Sequence, residues 1–173
     1  MKNEIIATRP IIRKIFFTFI FISQTHAQWE GGASFNYKSE IPETGFGVYI
    51  SRNLPVQFAS VGVKARTLFD YYFQQDYSSL ELHADLLTLM YYKNFQPYLI
   101  LSLGGSQYSI NDFSEFIFVL GAGVGIRFPV TSDVLPFFEV CSNKYFSSFD
   151  KETTEEKISS IQIVSRIGMT LKF

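Results

Sequence analysis

Glu81, His83 and Asp85 are the residues whose types and spacing come nearest to chemistry. Positions two apart lie on one face of an extended chain. An imidazole between carboxylates suits proton transfer, because histidine titrates near neutrality and an acid can fix its tautomer. The same spacing also suits ion pairing, and Lys64 and Arg66 stand two apart upstream. Buried charges normally survive only when paired, so the trio is expected to belong to a charge network with those cations.

The other candidates carry less chemistry. Gly121, Gly123 and Gly125 form G-x-G-x-G, which is not the G-x-G-x-x-G of a dinucleotide loop, and no helical pattern follows. Glycine at every second position instead leaves room on one face of a strand. Cys141 is the single cysteine, so there is no intrachain disulfide and no cysteine-based metal cluster. With Glu139 and Asn143 two residues to either side, it reads as a space filler. One histidine beyond the N-terminal region and one cysteine make a poor ligand set; no metal, cofactor or catalytic residue is expected. Arg127, Glu139 and Arg166 extend the charged set.

Strands must position these residues, since the pattern that recurs is alternation with period two. From Ile161 to Phe173 the odd positions are apolar except Ser165, and the even ones include Gln162, Arg166, Thr170 and Lys172. Leu120 to Phe128 alternates apolar residues with the glycines and Arg127. Val61, Val63, Ala65, Thr67 and Phe69 alternate with Gly62, Lys64, Arg66 and Asp70, although Leu68 breaks the polar side. Leu80, Leu82, Ala84 and Leu86 alternate with the trio, and Trp29, Phe35 and Tyr37 with Glu30, Ser34, Asn36 and Lys38. Phe46–Arg52, Pro97–Gln107 and Leu135–Phe146 complete eight segments.

Between the segments, Lys38–Gly45, Tyr71–Ser79, Ser109–Glu115 and Ser147–Lys157 are longer and polar, while Asn53–Pro55, Lys93–Gln96 and Pro129–Asp133 carry short-turn chemistry. Long and short connections in alternation suit an up-and-down barrel. Ten strands would squeeze the loops. If residues 61–70 and 80–89 pair across Tyr71–Ser79, Lys64 faces Asp85, Arg66 faces His83, and Glu81 lies diagonal to Arg66. Closure would bring Glu30 of the first strand beside Lys172 of the last.

Residues 1–27 stand apart. Arg9, Arg13 and Lys14 precede the apolar run Ile15–Ile22, and Thr25-His26-Ala27 offers small residues before Gln28. That order is a secretory signal peptide, and the run is far shorter than the roughly 20 apolar residues of a spanning helix. Two regions are therefore expected: a cleaved signal peptide over 1–27 and a barrel domain over 28–173. Without the leader the chain is mildly acidic, and a formal net charge of −1 for the whole offers no footprint for nucleic acid. At 173 residues, 17% aromatic and 18% charged, the composition favours a single strand-rich domain.

Alternation does not say which face is out. A soluble exported barrel would turn its apolar face inward and a membrane barrel would turn it to lipid. One lipid-facing Arg or Lys at mid-membrane costs about 2–4 kcal/mol, and Lys64, Arg66, Arg127 and Arg166 together would threaten a stability of about 5–15 kcal/mol. They are expected to point inward and to fill the lumen. Aromatics near strand ends, among them Trp29, Tyr37, Tyr71, Tyr72, Tyr98 and Tyr145, fit the girdles of a membrane barrel.

The ending Ile167-Gly-Met-Thr-Leu-Lys-Phe173 resembles the C-terminal strand of bacterial outer-membrane barrels. There, a terminal Phe with apolar residues at alternate positions, here Met169, Leu171 and Phe173, is the signal read by the assembly machinery. With Gly121–Gly125 and Pro97-Tyr98, the chain after residue 27 resembles the small barrels of the OmpA/OmpX type. The resemblance implies an eight-stranded antiparallel transmembrane barrel in the bacterial outer membrane, with no periplasmic domain after it. It implies outer-membrane lipid as surroundings and the barrel assembly machinery as a partner during biogenesis. Some barrels of this kind are lipid-modifying enzymes that use a His, an acid and a Ser on the lipid-facing surface or rim; here the trio shares the face of Lys64 and Arg66. The expectation is a non-enzymatic monomer whose role lies in outward loops that meet a protein or surface ligand, the acidic stretch Asp150–Lys157 being the most distinctive. The alternatives are a lipid-modifying enzyme and an accessory subunit of a larger envelope complex.

Overall fold

The computed structural model describes residues 28–40, 42–58, 60–74, 78–110, 113–146 and 161–173. The leader expected over 1–27 and the acidic stretch Asp150–Lys157 lie outside them. Alternating sequence gives alternating burial, strict along β3 (Val61–Phe73) and nearly so along β4 (Ser78–Met90) and β7 (Val134–Phe146). With β1 (Trp29–Lys38), β2 (Glu43–Phe58), β5 (Gln96–Ile110), β6 (Phe113–Arg127) and β8 (Ile161–Lys172), these make eight strands. Each pairs antiparallel with the next, and β8 closes on β1, giving one closed barrel. Eight strands rather than ten fill the circuit. Closure leaves no unpaired sheet edge, the condition for strands to cross hydrocarbon.

The faces are the reverse of those in a soluble protein. Leu101 and Ile167 are each 61% exposed and Phe116 67%, whereas Lys38, Arg127 and Glu139 are 0% exposed. A water-soluble barrel would hide the first set and show the second. The outside is therefore a lipid-facing surface, and the soluble alternative is set aside.

Several expected boundaries are corrected. The turn placed at Asn53–Pro55 lies inside β2, which continues to Phe58 through a bulge between Asn53 and Gln57. A bulge leaves a residue out of the ladder, so Pro55 there forfeits no pairing bond. The chain reverses between Phe58 and Val61 instead. The loops placed at Tyr71–Ser79 and Ser109–Glu115 shrink, because β3 runs on to Phe73, β4 begins at Ser78, and pairing of β5 with β6 reaches Ile110 and Phe113. The polar and aromatic residues there have the composition of a loop, although alternation continues through them. The long connection at that end of the barrel is the one between Phe146 and Ile161.

Three of the aromatics assigned to girdles also turn inward. Tyr72, Tyr98 and Tyr145 are buried in the lumen, while Trp29, Tyr37 and Tyr71 face out. Tyr72 packs with Leu87, Leu89, Tyr98, Ile100, Cys141 and Val164, and Tyr145 with Ile117 and Val119. The lumen glycines sit under bulky neighbours: a Cβ on Gly121 would meet Asn143, one on Gly123 would meet Cys141, and one on Gly125 would meet the Tyr98 ring. Small residues on β6 thus make space for large ones on its neighbours.

Candidate functional site

The charged residues expected to fill the lumen are all buried inside the barrel, in three layers. Nearest the termini, Glu30 on β1 accepts hydrogen bonds from Lys64 on β3 and, at 2.8 Å, from Arg127 at the end of β6. In the middle, Arg66 pairs with Asp85 at 2.7 Å and makes a two-pronged contact with Glu139. The Tyr98 hydroxyl donates to Glu139 at 2.7 Å. Arg166 donates to Asp70 through Nη2 at 2.8 Å and Nε at 3.2 Å, and lies 3.9 Å from Glu139. At the far end, Lys38 joins Glu81 at 2.7 Å and Glu43 at 3.1 Å, with its ammonium 3.8 Å from the centre of the Tyr72 ring. Such pairing is what lets charges survive away from water.

The partners differ from those expected between β3 and β4. Arg66 stands opposite Asp85, Leu68 opposite His83, Asp70 opposite Glu81, and Lys64 opposite Leu87. The register is shifted by two residues, because Phe73 pairs with Ser78, which centres the hairpin one residue further along the chain than the expected pairing would. A shift of two keeps every side chain on its own face and exchanges only its partners. Lys64 accordingly meets Glu30 and not Asp85, and Glu81 meets Lys38 rather than lying beside Arg66. At the seam Glu30 pairs with Lys172, and Phe173 donates its backbone N–H to the Trp29 carbonyl at 3.1 Å. Met169, Leu171 and Phe173 all point outward.

Sequence reasoning missed Ser102. It lies on β5, and its hydroxyl is 3.1 Å from His83 Nδ1, while His83 Nε2 is 3.0 Å from Glu81. Ser, His and acid therefore stand in relay order. The signal was out of reach, because Ser102 approaches His83 only through strand pairing. The geometry suits activation of a hydroxyl. However, Glu81 also accepts from Lys38 and, at 3.0 Å, from Tyr145, and His83 faces a packed interior. Asp70, Glu81 and His83 bring ligand atoms within 4.8 Å of one another, but Arg166 and Lys38 already neutralise the two carboxylates. A metal ion would have to displace them.

Closed eight-strand topology, a lipid-facing apolar exterior and a charged interior together decide the class. By fold this is a small outer-membrane β-barrel. Solved structures share the outer-membrane barrel fold at low sequence identity. Neisserial surface protein A (NspA) superposes with a TM-score of 0.54 at 16% identity, covering 85% of this chain and 97% of its own. Ail, the attachment invasion locus protein of Yersinia pestis, gives 0.53 at 12%, covering 85% and 97%. The outer membrane enzyme PagL gives 0.52 at 11%, covering 83% and 98%. No protein-family model matches the sequence, and no curated protein matches it. Since one of these three barrels is an enzyme, the outer-membrane barrel fold leaves open whether its members catalyse.

Proposed function

We infer that this barrel is a non-enzymatic component of the bacterial outer membrane, a rigid monomeric plug whose role is exercised at its loop-bearing end. The observation that carries this reading is the commitment of the groups around His83 to one another. Glu81, the acid a catalytic His83 would need, is shared among Lys38, Tyr145 and His83. A filled interior of eight strands also has no room for a lipid substrate. A rigid scaffold carrying variable connections is a common arrangement for surface recognition. The test compares outer-membrane lipid profiles of cells carrying wild type, His83→Ala and Ser102→Ala at matched folded yield. Identical profiles support the reading, and a lipid species altered in both variants overturns it.

A second reading, a lipid-modifying enzyme, draws on one specific feature. Ser102 lines a shallow depression between β4 and β5 together with Ala84, Asp85, Leu86, Leu101 and Leu103, so the relay lies behind a dent in the wall. A serine-directed fluorophosphonate probe separates the two readings, because only an activated, reachable Ser102 would be labelled.

A further inference from the structure

The three interior layers differ in charge balance. Among the described residues, the middle layer sets Arg66 and Arg166 against Asp70, Asp85 and Glu139, and the far layer sets Lys38 against Glu43 and Glu81. The layer nearest the termini has the opposite excess: Lys64 and Arg127 share Glu30 alone. Lys172, paired with Glu30 across the seam, adds a third cation. Positive charge thus gathers at the mouth that holds both ends of the barrel.

Within that layer Arg127 is fully buried, and its Nε and Nη2 have no acceptor among the described residues. Only Nη1 reaches Glu30. Nε and Nη2 form one edge of the guanidinium, whose two parallel N–H bonds match a planar or tetrahedral oxyanion. The Ser51 hydroxyl and the Asn53 amide oxygen are likewise buried without partners among the described residues. Ser51 stands opposite Glu30 and Asn53 opposite Lys64, so both border the same layer. Turning the Asn53 amide over would offer a donor there.

The surroundings set the depth of this mouth. Arg52 stacks over Trp29 at 5.3 Å, and Tyr92 stacks on Phe95 at 5.0 Å in the turn after β4. Such aromatics belong at the headgroup level of a bilayer. Tyr91, half-buried in that turn, covers Gly62 and donates its N–H to the Ser60 carbonyl at 2.8 Å.

The geometry points to a phosphate-binding site at the terminus-bearing mouth, with the Nε–Nη2 edge of Arg127 as the fork, Lys64 and Lys172 as neutralising charges, and Ser51 and Asn53 completing the shell. The group bound is a phosphate oxyanion, from a phospholipid headgroup or from free phosphate. The site is separate from the His83 cluster and does not depend on how that cluster is read.

The experiment uses the complete barrel refolded in an uncharged detergent. One arm adds inorganic phosphate, with chloride at equal ionic strength as control, and follows the thermal unfolding midpoint. The other replaces detergent with nanodiscs of phosphatidylglycerol, from which native mass spectrometry reads retained lipid. Arg127→Lys keeps the charge and removes the fork, and Ser51→Ala serves as a milder variant should Arg127→Lys not fold. The expected result is a midpoint raised by phosphate and not by chloride, or lipid retained by the wild type, with affinity at least tenfold weaker in Arg127→Lys and measurably weaker in Ser51→Ala. A response in the first arm identifies free phosphate as the source, and a response in the second alone identifies the headgroup. No phosphate-specific response in either arm, or equal responses from wild type and a folded variant, would overturn the proposal and leave water as the partner of Arg127.

Discussion

Arg66 and Asp85 stand opposite each other on β3 and β4, their side chains meeting at 2.7 Å inside the barrel. The same guanidinium also holds Glu139 on β7, so it ties opposite walls of the lumen together. Breaking a buried pair by removing one partner costs about 3–5 kcal/mol when the other is left uncompensated. Asp85→Asn leaves Arg66 its contact with Glu139 and should fall below that range. Glu139→Gln takes a partner from Arg66 and Arg166 and an acceptor from Tyr98, and should be the more damaging. Urea unfolding in lipid vesicles, followed by fluorescence of Trp29, the single tryptophan, will rank the two. The opposite order would mean that Glu139 is not the centre of the network.

That pair also marks the limit of what could be read from the chain. The strand positions and the inward face of Lys64, Arg66, Glu81, His83 and Asp85 were legible, because period two survives any even shift in register. The opposition of Arg66 to Asp85 was not, since it depends on a hairpin whose Tyr72 and Ser79 look like loop residues and pair as strand. Contacts across the lumen, such as Lys38 with Glu81 or Arg166 with Asp70, depend on strand tilt and stagger, which no local pattern encodes. Tyr98 and Tyr145 show the same limit. An aromatic near a strand end fits a girdle or a lumen equally well until its parity is fixed.

Gly125 should not tolerate a methyl group. An added Cβ would press into the Tyr98 ring, whose hydroxyl is held by Glu139. Overpacking of this kind costs about 1–3 kcal/mol. Gly125→Ala should lower the unfolding midpoint, and Gly125→Ala with Tyr98→Phe should recover it only in part, because ring carbons as well as the hydroxyl oxygen stand in the way of the added Cβ. Full recovery in the double variant would show that the clash with the hydroxyl oxygen, not with the ring, sets the cost.

Phe173 should be needed for assembly in cells. Its side chain points outward from the seam, in line with Met169 and Leu171, and its N–H is fixed to Trp29. Deleting Phe173 should reduce the folded, heat-modifiable band from cell envelopes while leaving refolding in detergent nearly unchanged. Equal loss in both settings would assign the residue to stability of the seam and not to recognition during assembly.

Maturation should remove residues 1–27. The basic, apolar and small-residue order before Gln28 motivates a cut after Ala27. Intact mass of the protein extracted from envelopes checks it directly, and a species beginning at Met1 in the outer membrane would refute the site.

The filled lumen makes a last prediction, about transport. An eight-stranded barrel encloses space that side chains can just fill, and Lys38, Tyr72, Arg127 and Tyr145 are among the large residues fully buried here. They come from both ends of the barrel, and Arg66 ties opposite walls between them, so a continuous water path would have to pass three separate constrictions. At the far one, the Lys38 ammonium lies 3.8 Å from the Tyr72 ring centre and is held by Glu81. At the near one, Arg127 is tied to Glu30 and lies 5.1 Å from the Tyr98 ring centre. The wild type should therefore show no steady conductance in planar bilayers. Lys38→Ala alone should remain closed, since the Arg66 and Arg127 constrictions persist, and only truncation in all three layers should yield ion flow. Steady single-channel steps from the wild type would show that the network lines a pore.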